Sequence, residues 1–329
     1  MGHQLADIFD LAATNLLSPV ILSFVLGLVA ALGRSDLSVP EAAAKAMSIY
    51  LLFAIGFKGG AAVASNGLDA ALVATLVAGF VLSAVLPFIA FAMLRVLTNL
   101  SRIDAAAVAG HYGSISIVTF VAATSVLEGR TISAEGYMVA VAAVMEAPAI
   151  LSALWLVSRG GSGRRMDSEL MREIMLNGSI VLLVGAFVIG AITGQEGLDK
   201  VSNFIVAPFT GVLCLFLLDM GLVAGRGLRE SRGVLNMGAV AFGIIMPLVG
   251  SVFGLGAGLL IGLSPGGIAL LMVLSASASY IAVPAAMRVA LPEANPSVYL
   301  TLSLGVTFPF NLTIGIPLYV AVSQALTGG

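Results

Sequence analysis

Gly110-His111-Tyr112-Gly113-Ser114-Ile115-Ser116 decides the fold; it lies in the middle of an apolar segment from about residue 103 to 127. A second stretch, Ser275-Ala276-Ser277-Ala278-Ser279-Tyr280, lies in the middle of the apolar segment from about 265 to 290. Both are runs of small and hydroxyl-bearing residues at bilayer depth, where membrane proteins accept them only if they line a cavity or are buried against protein. Close helix packing explains either run alone equally well. Two runs at matching places in two matching halves indicate a transport site.

The composition is that of a membrane protein. Hydrophobic residues make up 59% of the chain, charged residues only 10%, and the mean hydropathy is +1.09, whereas about a quarter of a soluble domain is charged. The net charge of −2 offers no basic surface for nucleic acid. The single cysteine, Cys214, excludes a disulfide framework and a thiol metal cluster. Residues 1–10 lack the Lys and Arg of a secretory signal. We expect a polytopic protein in contact with lipid in a bacterial cytoplasmic (inner) membrane.

Ten apolar segments follow one another, each near or above the ~20 residues that span ~30 Å of hydrocarbon. They run over 11–33, 41–64, 70–97, 103–127, 136–158, 174–194, 203–225, 234–263, 265–290 and 296–325. The longest polar stretch separates five segments from five. The sequence therefore predicts an all-α protein of ten transmembrane helices, with a first repeat in 1–158, a cytoplasmic linker in 159–173 and a second repeat in 174–329.

The Lys and Arg residues of the connections predict the orientation, because cytoplasmic loops carry an excess of them. With the N-terminus outside, three of them lie outside: Lys58, Arg130 and Lys200. The others lie inside: Arg34, Lys45, Arg95, Arg102, Arg159, Arg164, Arg165, Arg172, Arg226, Arg229, Arg232 and Arg288. Both termini are therefore predicted to lie outside.

Five helices per half, an odd number, place the two halves in opposite orientations. Gly56-Phe57-Lys58-Gly59-Gly60 in the second helix resembles Gly221-Leu222-Val223-Ala224-Gly225 in the seventh. Glu146-Ala147-Pro148 in the fifth resembles Thr307-Phe308-Pro309 in the tenth. Inverted repeats with interrupted helices, in this chain the fourth and ninth, are typical of secondary transporters that bind substrate at the midplane.

The two small-residue runs are predicted to meet at that midplane. Gly113 lies ~15 Å in from one face and Ser275 to Ser279 lie ~15–21 Å in from the other, at ~1.5 Å per residue. Beyond each break a half-helix would begin, with free N–H groups and the positive end of its dipole. Two such ends facing one cavity would form an anion site without any arginine.

One acidic residue, Glu146, lies at mid-depth beside Pro148. It is interpreted as a coupling-ion ligand or proton carrier, with a protonated structural acid as the alternative. Thr119, Thr307 and Asn311 can supply neutral oxygens to the same neighbourhood, although close packing or helix capping explains each of them equally well.

Three other polar residues are interpreted as structural or solvated. His111 has no Cys, His or acid at ligand spacing, so we expect a hydrogen-bonded structural histidine or a proton relay and no transition-metal site. Lys58 and Asp219 are predicted at different depths. We therefore expect Lys58 to extend outward and Asp219 to meet Arg226 or water instead of Lys58.

Three motifs resemble the sodium-dependent bicarbonate transporters of the SbtA type, and the similarity covers nearly the whole chain. They are Gly110–Ser116 followed by Thr119, Met145-Glu146-Ala147-Pro148, and Pro292-Glu293-Ala294-Asn295-Pro296-Ser297. By this resemblance the chain would be a divergent bacterial member of the family. The resemblance implies two inverted repeats of five helices, a core domain and a gate domain, a homotrimer, and sodium-coupled bicarbonate uptake. It also implies a PII-like regulatory partner.

The resemblance also implies the site residues. Substrate would sit at Gly113, Ser114, Ser116, Ser277 and Ser279, and Ser275 belongs to the same run. Sodium, the coupling ion, would sit close by, with Glu146, Thr119, Thr307 and Asn311 as candidates. Tyr280 stands where the family carries an acid after the second serine run.

Two other classes stay open. One is a cation/proton antiporter or organic-anion symporter that uses Glu146 as its ion carrier. The other is a membrane scaffold or sensor, which the absence of an attached soluble domain disfavours. No phosphate loop, metalloprotease motif or nucleophile with a plausible base stands out, so we expect neither an enzyme nor a bound cofactor.

Overall fold

The computed structural model describes residues 17–66, 70–158, 178–230, 236–280 and 291–327, with single positions 172, 176, 283, 284 and 287. Over these residues the chain is helical and forms no strand. The helices are α1 (Pro19–Leu32), α2 (Glu41–Asn66), α3 (Ala70–Leu97), α4 (Arg102–Gly113), α5 (Ile117–Gly129), α6 (Met138–Val144), α7 (Ala147–Ser158), α8 (Gly178–Ile205), α9 (Phe209–Glu230), α10 (Met237–Ile261), α11 (Pro265–Ala276) and α12 (Pro296–Thr327). The predicted linker lies outside the described residues except for Arg172.

Eight helical stretches of the described chain are long and apolar enough to cross a membrane. They are Glu41–Ser65, Ala70–Leu97, Arg102–Gly129, Met138–Val157, Ile180–Ile205, Phe209–Arg229, Met237–Ile261 and Pro296–Thr327. In the ranges described, α1 and α11 are apolar but shorter. The protein is therefore an all-helical, polytopic membrane protein, while the number of ten spans stays a prediction.

The predicted sixth segment, 174–194, ends earlier than the helix that the structure shows there. Helix α8 bends at Gly194 (φ 60°, ψ −154°) and continues to Ile205. Side chains four residues apart hold this polar extension, because Gln195 donates to Asp199 at 2.8 Å and Lys200 pairs with Glu196 at 2.7 Å. A helix that leaves the membrane can be polar on all sides when such pairs support it.

Helices α1, α2, α8 and α9 pack into one four-helix unit, in which α1 lies against α9 and α2 lies against α8. Glycines bring the backbones into close contact. A Cβ added to Gly60 of α2 would collide with the carbonyl oxygen of Phe187 in α8, and one added to Gly221 of α9 would collide with that of Phe24 in α1. Small residues at such interfaces are typical of membrane helices.

These contacts repeat in the second half of the chain with nearly equal spacings. Gly27 meets the backbone of Leu218, and Gly190 meets the backbone of Phe57 in the same way. Gly27 thus corresponds to Gly190, 163 residues later (190 − 27), and Phe57 to Leu218, 161 residues later (218 − 57). By the same spacing Gly60 corresponds to Gly221. The sequence pattern alone aligns Gly56 with Gly221, which is one helical turn away from this correspondence. A glycine-rich pattern does not specify the register of a helix.

The remaining helices form a second unit, the crossed-helix unit, in which α3 packs on α4, α10 packs on α11, and α12 lies alongside α11. Two of its short helices are almost completely buried: residues 105–113 of α4 and 266–276 of α11. The small-residue runs at their ends are therefore shielded from lipid by protein, as the sequence predicts.

Candidate functional site

Both serine runs interrupt a helix. Helix α4 ends at Gly113, Ser114 has an extended backbone (φ −88°, ψ 158°), and α5 begins at Ile117. Helix α11 ends at Ala276, and Ser277 has nearly the same backbone angles (φ −85°, ψ 162°). The two runs thus end their helices in the same conformation.

The two half-helices that lead into the breaks also begin alike. The hydroxyl of Ser101 caps α4 by accepting the N–H of Asp104, and the hydroxyl of Ser264 caps α11 by accepting the N–H of Gly267. Each helix is 12 residues long. Ser101 and Ser264 are 163 positions apart (264 − 101), the spacing that relates α1 to α8.

The two breaks are hydrogen-bonded to each other. The Ser279 N–H donates to the His111 carbonyl oxygen at 2.8 Å, and the Ser116 N–H donates to Ser277 Oγ at 2.9 Å. The Ser277 hydroxyl itself donates to the carbonyl oxygen of Leu274 at 3.0 Å. These bonds occupy backbone groups that the breaks would otherwise leave unsatisfied, and they hold the two runs side by side as one crossing.

His111 is part of this crossing. Its Nδ1–H donates to the Ser279 carbonyl oxygen at 2.5 Å, so one ring nitrogen is fixed as a donor. The ring stacks on Tyr299 with centroids 4.6 Å apart, and Nε2 makes no hydrogen bond. The described residues contain no group of three His, Cys, Asp or Glu side chains able to hold a metal. His111 is thus hydrogen-bonded, as expected, and it ties the two breaks together.

Two hydroxyl groups near the crossing, Ser114 Oγ and Ser275 Oγ, are buried and have no hydrogen-bond partner among the described residues. Buried polar groups nearly always have a partner, and one left without it costs free energy. A polar ligand bound at the crossing would supply the missing hydrogen-bond partners of these buried hydroxyls. Gly113 and the five candidate serines are all buried.

Thr119 joins the crossing through Ser116. The Ser116 hydroxyl accepts the Thr119 N–H at 3.2 Å and the Thr119 hydroxyl at 2.9 Å. Ser116 is therefore the N-cap of α5. Of the first N–H groups of α5, those of Ile117 and Val118 have no intrahelical acceptor.

Helix α12 reaches both half-helices. The Tyr112 hydroxyl of α4 meets Thr307 Oγ1 at 2.6 Å, and Thr307 donates to the Gly243 carbonyl oxygen at 2.6 Å. Asn311 donates to the Ala276 carbonyl oxygen at the end of α11, at 2.9 Å. The helix has π-helical turns over Thr301–Thr307 and Asn311–Gly315. Such turns are frequent at functional sites.

Glu146 lies in a second kind of break, between α6 and α7. It is 6% exposed, its N–H donates to the Ala143 carbonyl oxygen at 3.4 Å, and its carboxyl group takes part in neither of the ion pairs of the described chain. Ser83 of α3 connects this break to the first one, because its hydroxyl donates to the Met145 carbonyl oxygen at 2.5 Å and its own carbonyl lies against Gly113. The acid is therefore near the end of α4, although the structure gives it no bond to Thr119, Thr307 or Asn311.

A family model for the Na+-dependent bicarbonate transporter superfamily matches residues 19–324. The chain belongs to this superfamily. The match includes both breaks, Glu146 and most of α12. Membership makes the protein a membrane transporter and implies bicarbonate and Na+ as transported substrates. No curated protein matches the chain.

In the transporter, two charged residues of the four-helix unit have different surroundings. Lys58 of α2 forms an ion pair with Glu128 of α5 at 2.6 Å, and its Nζ lies 5.3 Å from the centre of the Phe209 ring. Asp219 of α9 is 6% exposed, and Arg226 is the charged group that acts on it. Lys58 and Asp219 are not paired with each other, as predicted, but Lys58 meets an acid instead of extending freely outward.

Two cavities flank α5. One, of about 200 Å³, lies between α1, α5 and α12 and includes Ser18, Ser125 and Arg130 in its wall. Partial burial lowers the pKa of the Arg130 guanidinium, which remains a cation. The other, of about 270 Å³, lies between α2, α5, α6 and α11. Both run along the helix that begins at the crossing.

Sequence reasoning missed several residues of the crossing. Tyr112 of α4 contacts Thr307 of α12, Ser83 of α3 donates to the Met145 carbonyl oxygen, and Tyr319 donates to Asn311 Oδ1 within α12 at 3.1 Å. A hydroxyl at mid-depth in an otherwise apolar helix was the available signal. Its partner cannot be deduced from spacing, because the partners of Tyr112 and Ser83 are 195 and 62 residues away.

Proposed function

We propose that the protein is a secondary active transporter that takes up bicarbonate together with Na+ and holds the anion at the crossing of the two serine runs. The carrying observation is the pair of hydrogen-bonded breaks with the orphaned hydroxyls of Ser114 and Ser275 beside them. A small oxoanion such as bicarbonate has oxygen atoms that could accept hydrogen bonds from these two hydroxyls.

The donors for the anion come from the half-helix that begins after Ser116. The N–H groups of Ser116 and Ser279 are occupied by the crossing, so Ile117 and Val118 are the backbone groups left to bind an anion. The helix dipole adds to them, and an anion in such a partly buried position gains up to ~2 kcal/mol. Gly113 and Ser277 supply close approach and support for the crossing.

Na+ would bind close to the anion through neutral oxygens and one acid. Thr119, Thr307 and Asn311 place oxygen atoms next to the ends of the two breaks, and hard cations prefer such ligands. Glu146 supports the proposal as the buried acid that lacks a partner among the described residues. It would carry the coupling charge.

The proposed architecture is ten spans in two inverted repeats, 1–158 and 174–329. The nearly equal spacings of the glycine contacts and of the Ser101 and Ser264 caps support the repeat. The four-helix unit would be the gate domain and the crossed-helix unit the core domain. We further propose the inner membrane as location, both termini outside, a homotrimer and a PII-like regulatory partner; the charge asymmetry of the loops supports the orientation.

Uptake of labelled bicarbonate into proteoliposomes tests the proposal. We expect accumulation that requires an inward Na+ gradient and collapses when the gradient is dissipated. The control is the same vesicles with a potassium gradient of equal size. Absence of uptake under a Na+ gradient by folded protein would refute Na+-coupled bicarbonate transport.

A second candidate is a cation/proton antiporter or organic-anion symporter with Glu146 as ion carrier. The burial of Glu146 without a cation partner in the described chain favours it, since an acid in that position can be neutralised by a proton. In the same vesicles this candidate predicts transport that follows the pH gradient and is indifferent to Na+.

A further inference from the structure

We propose that Lys58 and Glu128 form a gate that closes the passage between the crossing and the membrane surface at the end of α5. The proposal rests on the transport function proposed above and concerns residues that do not contact the bound anion. It assigns a function to an ion pair between two units of the fold.

The pair joins the two units directly. Lys58 belongs to α2 of the four-helix unit, and Glu128 is the next-to-last residue of α5 in the crossed-helix unit. Nζ and Oε1 are 2.6 Å apart, and the side chains are 27% and 55% exposed. Transporters with inverted repeats open and close largely by movement of one bundle against the other. Any such movement that separates α2 from α5 must break this bond.

The pair lies along a path to the crossing. The cavity of about 270 Å³ contains Lys58 and Glu128 in its wall, and it also contains Phe120 and Thr124. These two residues follow Ser116 by four and eight positions, which is ~6 Å and ~12 Å along the helix. The ion pair therefore bridges the two units on the side of the cavity that is farther from the serine runs.

The repeat gives an independent reason to consider this position. The spacing of 161 residues that relates α2 to α9 makes Asp219 the counterpart of Lys58 (219 − 58). In inverted repeats, counterpart positions serve opposite sides of the membrane. Lys58 is paired with an acid of the other unit, whereas the charged group that acts on Asp219 is Arg226 of its own helix. This difference fits alternating access, in which contacts between the two units are closed on one side of the membrane at a time.

The pair is suited to breaking in every cycle. Partly exposed ion pairs contribute little to stability, because water screens them and the side chains lose freedom. Such a bond can bias the closed state without locking it. The Phe209 ring beside Nζ provides a second contact for the lysine.

The test measures access to the cavity instead of transport, so it stays separate from the bicarbonate assay. A cysteine replaces Thr124 in a Cys214→Ser background, and a charged thiol reagent is added to the purified full-length protein in nanodiscs. We expect Lys58→Met and Glu128→Gln to raise the labelling rate roughly 1.5- to 5-fold, the factor for loss of one exposed ion pair. The exchanged pair, Lys58→Glu with Glu128→Lys, should return the rate to that of the parent.

The matched control is Lys200→Met, which removes the ion pair with Glu196 inside the single helix α8 and should leave the labelling rate unchanged. Thermal unfolding confirms that each variant is folded. Equal rates in the parent, Lys58→Met and Glu128→Gln would overturn the gate. If the gate variants behave as expected while the vesicles take up no bicarbonate, the proposed substrate is wrong and the gate stands.

Discussion

At the residue scale, the crossing contains two kinds of polar group. Some make hydrogen bonds that hold the two breaks together, and others have no hydrogen-bond partner among the described residues. Ser116, Ser277 and Ser279 each make hydrogen bonds that shape the breaks. The side chains of Ser114 and Ser275 make none to the residues that the structure describes. Variants of the first group are therefore expected to change stability and binding together, and variants of the second group to change binding alone.

Ser114→Ala tests this distinction. The Ser114 hydroxyl has no partner in the described part of the chain, so we expect its removal to leave the unfolding temperature unchanged or slightly raised. Loss of one donor to the anion should weaken bicarbonate binding by about 1 kcal/mol, roughly fivefold. Thermal unfolding and equilibrium binding of labelled bicarbonate measure the two effects. Unchanged affinity would remove Ser114 from the site.

Glu146→Gln tests coupling. The amide keeps an oxygen atom but loses the charge that a cation or proton would neutralise. We expect a folded protein whose ion-driven accumulation is at least tenfold lower, an effect of about 1.4 kcal/mol. Glu196→Gln, at an exposed position of α8, is the control. Transport by Glu146→Gln with an unaltered ion dependence would make Glu146 a structural acid.

At the element scale, glycines set the distance between α1 and α9 and between α2 and α8. A side chain at Gly60 meets the backbone of Phe187 and Ala191, which cannot move without the helix. Gly60→Ala should therefore destabilise the four-helix unit by about 1–3 kcal/mol, the usual cost of overpacking. Gly211→Ala in α9 has open space around it and should be neutral or stabilising. Thermal unfolding of both in one detergent compares them, and equal stability would contradict the close contact.

The elements also show what the sequence could predict. The two breaks, the apolar spans and the burial of the small-residue runs follow from composition and from the cost of unpaired backbone in lipid. The register of the repeat could not be predicted, because the glycine spacing fits several registers. The extension of α8 past Gly194 could not be predicted either, because its polar sequence lacks the apolar pattern of a membrane helix. The predicted serines and the α12 residues Thr307 and Asn311 do lie at the crossing, and their part in binding stays a prediction. The bonds of Ser83 and Tyr112 were not, since their partners are set by tertiary packing.

At the scale of the whole molecule, the charge asymmetry of the loops predicts which side faces the cytoplasm. A cysteine at Gln195, exposed near the bend of α8, should be labelled by an impermeant thiol reagent in intact cells. A cysteine at Ser35, exposed between α1 and α2, should be shielded until the cells are opened. The Cys214→Ser parent is the control. The reverse labelling pattern would invert the proposed orientation.

The central claim is that the crossing holds the anion at the start of α5, and direct binding to Ser116 variants tests it. Aspartate and asparagine both cap helices as well as serine does, so Ser116→Asp and Ser116→Asn should keep the bond to Thr119 that defines the break. Only aspartate adds a negative charge beside the Ile117 and Val118 N–H groups. With labelled bicarbonate on folded protein, we predict that Ser116→Asn binds within about tenfold of the parent and that Ser116→Asp does not bind. Binding of bicarbonate to Ser116→Asp with the affinity of the parent would contradict the account.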